Sequence, residues 1–207
     1  MLVRKLQGAG GLGGDTPITL VTNDSGNDAA QSSFTTASFT WNAYDVFIIA
    51  IGWEISGPVV TAPAGWNEDY DSPEECAFFS WQPTTSGSGT FTFSQTASDR
   101  YAYVCSQFRD ISTSMYDNRS ITAADNDTTF ATVNLSAGGV VYCVAGEHDF
   151  NLTTSSPVTL IADVNQGAGA GVAAAMSYAS VSSSSTINYS VGGSTSNWSR
   201  VQYEFGS

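Results

Sequence analysis

The densest group of residues that could do chemistry is a run of five carboxylates in WNEDYDSPEE, residues 66–75. Carboxylate oxygens are preferred Ca²⁺ ligands, so we take four of these residues as weak calcium candidates: Asp69, Asp71, Glu74 and Glu75. A glycoside hydrolase would need two carboxylates at a fixed separation across a cleft, which a run in sequence does not establish. Acidic runs on loops are more often solvated surface, and no cofactor besides calcium is indicated.

Histidine and cysteine are too sparse for the common catalytic and metal-binding patterns. The chain has one histidine, His148, and three widely spaced cysteines, Cys76, Cys105 and Cys143. Triad chemistry needs a nucleophile beside a histidine and an acid, and zinc sites need closely spaced Cys and His pairs. We therefore predict a non-enzymatic protein with no catalytic residues. The cysteines lie in apolar segments typical of buried reduced thiols, with one disulfide as the alternative.

Aromatic residues offer a second kind of chemistry, the stacking of sugar rings. Trp, Tyr and Phe make up 12% of the chain, with five tryptophans among them. Trp53 ends an apolar segment and Trp66 follows a turn, so we expect both rings near the surface as ligand-binding residues. The alternative for any of these rings is packing in a core or against a cross-strand partner.

Composition excludes several classes of function. The net charge is −13, from 6 basic and 19 acidic side chains, which disfavours binding to nucleic acid. The longest apolar run, 46–51, is much shorter than the roughly 20 residues that span a bilayer, so no membrane insertion is expected. With 42% hydrophobic residues the chain can build a core, which excludes general disorder.

The elements that must position these residues are β-strands. Runs of β-branched and aromatic residues alternate with Gly, Pro, Asn, Asp and Ser clusters, a pattern typical of all-β domains. Helical periodicity is almost absent, and even the alanine-rich segment 169–180 is predicted as a strand. The predicted strands are 17–22, 33–41, 45–54, 58–61, 76–82, 89–95, 101–109, 129–135, 139–147, 158–163, 171–179, 186–191 and 197–205.

Three of these segments recur in the same order later in the chain. We therefore predict a jelly-roll-like antiparallel β-sandwich, residues 17–207, built from two internally repeated halves at about 33–110 and 127–206. Two tandem small sandwiches are the alternative. The aligned segments are 45–52 with 139–146 at an offset of 94, 89–94 with 185–190 at 96, and 101–108 with 198–205 at 97.

The first 16 residues differ from the rest in composition. A short basic and apolar head precedes a segment in which five of the seven residues 8–14 are glycine, which disfavours an isolated helix or strand. A frayed terminus is one interpretation. The other is an extended assembly arm that anchors the protein to a partner through Leu2, Val3, Arg4, Lys5 and Leu6.

The order of strands and turns resembles a known class of modules. The strand DVFIIAIGW, the turn Pro63-x-Gly65-Trp66, and the strands AFFSWQP, GTFTFS and YVCSQFRDI follow one another. This series resembles the β-sandwich modules of tailed-bacteriophage virion proteins, which occur in tail fibres, tail tips and capsid surfaces. The resemblance covers about 33–110 well and 127–206 more loosely, since the Pro-x-Gly-Trp turn is missing there.

The resemblance implies a non-enzymatic virion component, assembled in the host cytoplasm, in a tail-associated, receptor-binding or capsid-decoration role. It also implies other virion proteins as partners, a homo-oligomer that by analogy is a trimer, and a host-surface glycan as a ligand. The main alternative is a freestanding carbohydrate-binding module that uses exposed tryptophans, with or without calcium. A glycan-cleaving enzyme is a third hypothesis, based on the carboxylates alone.

Overall fold

The structure is a computed structural model of the chain. Within the residues that it describes there is no helix long and apolar enough to cross a membrane. The described residues are 17–54, 59–72, 76–111, 121–125, 130–135, 137–147, 150–151, 154–166, 171–190, 192–193 and 198–205.

We call residues 19–109 the first half and residues 121–205 the second half. The strands of the first half are β1 (Thr19–Thr35), β2 (Phe39–Trp41), β3 (Val46–Trp53), β4 (Val60–Thr61), β5 (Asn67–Ser72), β6 (Cys76–Trp81), β7 (Gly87–Gly89) and β8 (Thr92–Arg109). Those of the second half are β9 (Ile121–Asp125), β10 (Val133–Leu135), β11 (Gly138–Gly146), β12 (Phe150–Asn151), β13 (Thr159–Gln166), β14 (Val172–Val181), β15 (Ser185–Ile187), β16 (Gly192–Gly193) and β17 (Trp198–Phe205).

Each half forms one large antiparallel sheet. The first sheet has the order β1-β8-β3-β6-β5, with β4 paired to β8, and the second has the order β13-β14-β11-β17-β9. Three small pairs complete the described architecture: β2 with β7, β10 with β15, and β12 with β16. The prediction of an all-β, antiparallel sandwich is confirmed. The jelly-roll assignment and the sequence repeat stay predictions.

The two large sheets pack face to face, and both faces of their central strands are covered. Along β3, Val46 and Ile48 face a core shared with the second sheet, whereas Phe47 and Ile49 face a core that belongs to the first half alone. The second half likewise has its own core behind its sheet. This arrangement explains why the run 46–51 is continuously apolar, since alternate side chains enter different cores.

The two sheets are connected in the same way. Read from β9, the second sheet has the order β9-β17-β11-β14-β13, which matches β1-β8-β3-β6-β5 strand for strand. Both edge pairs carry one register shift at the equivalent place, between Glu68 and Tyr70 in β5 and between Leu160 and Ala162 in β13. Side-chain positions in the two halves can therefore be compared one to one.

The predicted strands are largely recovered, and the main differences are extra strand residues. β1 continues through residues 23–32, between the predicted strands 17–22 and 33–41, and β8 joins the predicted strands 89–95 and 101–109. β5 lies within the acidic run, and β9, β12 and β16 lie where no strand was predicted. All three cysteines are buried thiols outside any disulfide, as predicted.

Candidate binding surface

Three half-buried tryptophans meet at the outer side of the first-half core. Trp41, Trp66 and Trp81 are each only partly covered and pack against that core. The ring centroids of Trp41 and Trp81 are 5.2 Å apart with the planes at 76°. Those of Trp66 and Trp81 are 6.1 Å apart with the planes at 26°. We call these three residues the tryptophan surface.

The turn that was singled out in the sequence positions Trp66. The Trp66 N–H donates to the Pro63 carbonyl over 3.3 Å, which closes a four-residue turn. Gly65 has a φ of 95°, a left-handed conformation that glycine adopts at no steric cost. A Cβ at Gly65 would also lie 3.1 Å from Trp81 Nε1. Glycine therefore serves both the turn and the close approach of the two tryptophans.

Trp41 is held in place by β7, the strand that pairs with β2. Gly87 pairs with Trp41 across the β2–β7 ladder, and a Cβ on Gly87 would lie 2.8 Å from the indole ring. The Trp41 Nε1–H donates to the Thr85 carbonyl over 3.1 Å. The absence of a side chain at Gly87 lets the ring lie over the strand backbone.

Two buried phenylalanines, Phe91 and Phe47, pack against the inner side of the tryptophan surface. The Phe91 ring lies 5.8 Å from that of Trp41, 5.1 Å from that of Trp66 and 5.4 Å from that of Trp81. Phe47 contacts all three indoles as well. Edge-to-face and offset contacts of this kind fix ring orientation, so the surface is preorganised.

A strained tyrosine lies beside this surface. Tyr44 is 41% exposed and has a φ of 68°, which is uncommon for a bulky residue. Its N–H donates to the Pro83 carbonyl over 2.7 Å, and Gln82 Nε2 donates to its carbonyl over 3.1 Å. Because Gln82 follows Trp81 in the chain, the two bonds place the Tyr44 turn next to the tryptophan surface.

An ion pair between a buried carboxylate and a partly exposed guanidinium fixes the other side of that turn. Asp45, with a side chain 1% exposed, accepts two hydrogen bonds of 2.8 Å from Arg109 and one of 2.7 Å from Gln107. Gln107 Nε2 also donates to the Thr40 carbonyl, next to Trp41. Burial alone would raise the pKa of Asp45, but the bonds from Arg109, the Asn42 backbone and Gln107 hold it below its ordinary value.

The two tryptophans predicted as ligand-binding residues have different positions. Trp66 is half-buried and belongs to the tryptophan surface. Trp53 is 0% exposed within the first-half core, so the expectation that it lies near the surface is wrong. It stands at the end of β3, but it follows the alternation of Phe47, Ile49 and Ile51 and therefore faces inward.

Two of the four calcium candidates, Asp69 and Asp71, lie among the described residues and face different cores. Asp69 accepts a 2.8 Å hydrogen bond from Tyr203 on the side of the shared core. Asp71 lies opposite Ala77, whose side chain faces the first-half core, so the two carboxylates are on opposite faces of β5. Glu74 and Glu75 lie outside the described residues, as do His148 and Leu2, Val3, Arg4, Lys5 and Leu6. In the described part of the chain no group of three or more acidic, His or Cys side chains could hold a metal ion.

Burial raises the pKa of Asp71, and the charge of Glu68 raises it further. One Asp71 carboxylate oxygen is buried without a hydrogen-bond partner. The carboxyl group thus has the environment of a partly desolvated acid on the strand edge.

Sequence reasoning missed Trp41, Trp81 and Tyr44. A signal was available for the tryptophans, because Trp41 ends a predicted strand directly before Asn42 and Trp81 comes two residues before Pro83. What the sequence did not show is that β2, β6 and the 63–66 turn converge. That convergence depends on long-range strand pairing.

Comparison with known proteins adds no assignment. No protein-family model matches the chain, and neither a curated protein nor a solved structure matches it significantly. The class that the fold defines is an all-β, antiparallel sandwich, and the tryptophan surface is the candidate site on it.

Proposed function

We propose that the chain is a non-enzymatic structural component of a bacteriophage virion, a surface β-sandwich anchored by residues 1–16. The resemblance of 33–110 to phage β-sandwich modules supports this proposal, and the all-β fold agrees with it. The partners would be other virion proteins, and the assembled form a homo-oligomer that by analogy is a trimer.

The observation that favours a receptor-binding role over capsid decoration is the tryptophan surface. Trp41, Trp66 and Trp81 are partly exposed although large aromatic rings gain free energy from full burial. Exposed apolar patches on soluble proteins frequently mark contact surfaces. A decoration protein needs an assembly contact, whereas a receptor-binding protein needs such a surface facing outward.

The test uses purified virions of the bacteriophage that carries the gene for this chain. Mass spectrometry should find the chain in stoichiometric amount, and cryo-electron microscopy should locate it on the tail or capsid with residues 1–16 against a neighbouring protein. Deletion of 1–14 should then abolish incorporation without unfolding the sandwich. Virions that lack the chain would refute the proposal.

A freestanding carbohydrate-binding module is the second candidate, and the tryptophan surface favours it equally. The two proposals differ in what the isolated protein is. A module would bind sugar as a monomer and would not copurify with virions, whereas a virion component would be incorporated through residues 1–16. Melting that is unchanged by a chelator would remove calcium from either version.

A further inference from the structure

The second half has no counterpart of the tryptophan surface. Phe47 pairs with Trp81 in the first sheet, and the matching pair in the second sheet is Val140 with Ala179. The Trp66 turn, closed by Trp66 N–H to Pro63, corresponds to a turn closed by Val158 N–H to the Ser155 carbonyl over 2.8 Å. Trp81 and Trp66 are thus replaced by Ala179 and Val158.

The third tryptophan, Trp41, is also replaced in the second half. In the β2–β7 ladder Phe39 pairs with Gly89 and Trp41 with Gly87, and in the β10–β15 ladder Val133 pairs with Ile187 and Leu135 with Ser185. The bond from the Thr36 N–H to the Phe91 carbonyl beside the first ladder matches that from the Phe130 N–H to the Tyr189 carbonyl beside the second, so Trp41 corresponds to Leu135. The replacements Leu135, Val158 and Ala179 are all buried. The framework therefore forms without aromatic residues at these positions, so folding alone does not account for the three tryptophans.

The geometry of the surface selects among ligands. Indole faces carry partial negative charge and attract the C–H groups on the apolar face of a sugar ring. Trp41 stands at 76° to Trp81, whereas Trp66 and Trp81 are only 26° apart, so Trp41 makes the surface angled. An angled surface fits a terminal or branched sugar better than a flat, crystalline polysaccharide chain, which needs coplanar rings.

Polar groups around the rings and the charge of the molecule further limit the class of ligand that the surface can bind. Asn42 and Ser86 are exposed near Trp41, and Gln82 and Asn67 are half-buried near Trp81 and Trp66, so amide and hydroxyl groups border the rings. Gln82 and Asn67 already donate to the Tyr44 and Ser80 carbonyls. By contrast, the exposed Asn42 amide and the Ser86 O–H, whose oxygen accepts from the Ala43 N–H, can bind sugar hydroxyls. The chain carries a net charge of −13, which repels sulfated, phosphorylated and carboxylated ligands.

We infer that the tryptophan surface, with Tyr44 beside it, is a binding site for a neutral glycan and that the site belongs to the first half alone. This inference deepens the proposed receptor-binding role and rests on it for the biological source of the glycan. The binding chemistry itself depends only on the residues of the site.

The test uses the purified full-length chain on an array of neutral and acidic glycans, followed by titration of each hit with tryptophan fluorescence as the readout. We expect neutral glycans to bind and to change the fluorescence. Trp66→Ala should weaken binding about tenfold, the size of one lost stacking contact. Trp41→Phe and Trp81→Phe, which keep an aromatic ring over the same core, should weaken it less.

The matched control is Leu160→Ala, which removes a 40% exposed apolar side chain from the second half and should leave binding unchanged. Circular dichroism and thermal melting of each variant separate loss of binding from loss of fold. Four results would each overturn the inference. Two concern the array: no binding to neutral glycans, or binding to acidic glycans only. The others are capture of proline-rich peptides instead of sugars, and glycan binding that none of the three tryptophan variants changes. A chain that binds neutral glycan but is absent from virions would refute the proposed function and leave this inference standing.

Discussion

The two halves have the same connectivity, yet different residues fill the cores behind their sheets. In the first half, Ile49 of β3 lies between Phe79 and Cys105, and all three are buried. At the equivalent place in the second half, Tyr142 of β11 lies between Ser177 and Gln202, and these are buried too. An apolar row in one half thus corresponds to a polar row in the other.

The polar row is incompletely satisfied. The Tyr142 hydroxyl and the Gln202 side-chain carbonyl are buried without a hydrogen-bond partner in the structure. Burial raises the pKa of Tyr142, and the charge of Glu204 adds to the effect. Because buried polar groups without partners cost free energy, we expect this polar row to stabilise its half less than the apolar row stabilises the first half.

The first half fills the equivalent row with apolar side chains and carries the tryptophan surface on the outer side of the same core. Its β2–β3 turn is fixed by the Asp45–Arg109 ion pair, and Gly138, with a φ of 125°, stands in the second half where Asp45 stands in the first. The comparison teaches that one framework tolerates both fillings. The rigid aromatic surface is therefore a specialisation of the first half.

The largest effect should come from breaking the ion pair that distinguishes the halves. Asp45→Asn leaves Arg109 without its charged partner and removes a hydrogen-bonded, buried carboxylate. We expect a loss of about 3 kcal/mol in the free energy of unfolding, measured by urea denaturation at neutral pH. Glu54→Gln, which breaks the more exposed Arg100–Glu54 pair, should cost less than about 1 kcal/mol.

The same substitution should change the acid limb of the stability curve. The pKa of Asp45 is lower in the folded chain than in the unfolded one, so its stabilisation is fully present above the ordinary value of 3.8. It is lost as the pH falls through the folded pKa. The difference between wild type and Asp45→Asn should therefore shrink on acidification. A difference that stays constant down to the acid transition would show that Asp45 acts through packing alone.

A second prediction concerns the contact between the halves. Gly52 of β3 lies against the second sheet, where a Cβ would overlap the Ala173 carbonyl oxygen and lie 2.9 Å from the Gly146 nitrogen. Gly52→Ala should destabilise the chain by about 2 kcal/mol, since backbone atoms cannot move aside as a side chain can.

The control is Gly89→Ala, where the only close neighbour of a Cβ is the Trp41 ring at 3.7 Å. That substitution should have little effect on the melting temperature. Equal effects of the two substitutions would contradict the close approach of the sheets at Gly52.

These contacts show which features were within reach of the sequence. The apolar run 46–51 predicts a strand, the turn 63–66 predicts the site residue Trp66, and the apolar segments around the cysteines predict buried thiols. Each of these predictions depends on a local pattern. Alternation along β3 also indicates a buried Trp53, whereas the position of Trp53 at the end of the apolar segment indicates an exposed ring.

The alignment of the halves shows why the rest was harder. An offset of 94 equates Val46 with Val140, yet Val46 faces the shared core and Val140 the second-half core. Pairing of Val46 with Phe108 and of Gly139 with Phe205 indicates an offset of 93 when Phe108 and Phe205 correspond. A one-residue shift reverses the face of every side chain in a strand, and only the ladder fixes it.

A third prediction compares two buried tyrosine hydroxyls. Tyr203 donates to Asp69 of the other half over 2.8 Å, whereas the Tyr142 hydroxyl has no partner in the structure. Tyr203→Phe should lower the free energy of unfolding by about 1 kcal/mol, and Tyr142→Phe should leave it unchanged or raise it by a similar amount. Urea denaturation of both variants checks this, and a comparable loss in both would mean that the Tyr142 hydroxyl is satisfied by buried water.

The smallest effect should come from the acidic edge strand. The pKa of Asp71 is raised in the folded chain, so between 3.8 and that raised value the folded state binds more protons than the unfolded state. Stability contributed by this group therefore falls as the pH rises through that interval. Asp71→Asn should stabilise the chain near neutral pH by less than about 1 kcal/mol, and the gain should vanish below pH 3.8.

Asp163→Asn is the matched control for this experiment, because Asp163 is one residue beyond Ala162 in β13 just as Asp71 is one residue beyond Tyr70 in β5. Asp163 accepts a 3.1 Å hydrogen bond from Asn165, so its carboxylate has a partner that Asp71 Oδ1 lacks. Its replacement should give no gain at neutral pH. Equal and pH-independent changes at both positions would mean that burial and the charge of Glu68 do not set the protonation of Asp71, and that the two edge strands are electrostatically alike.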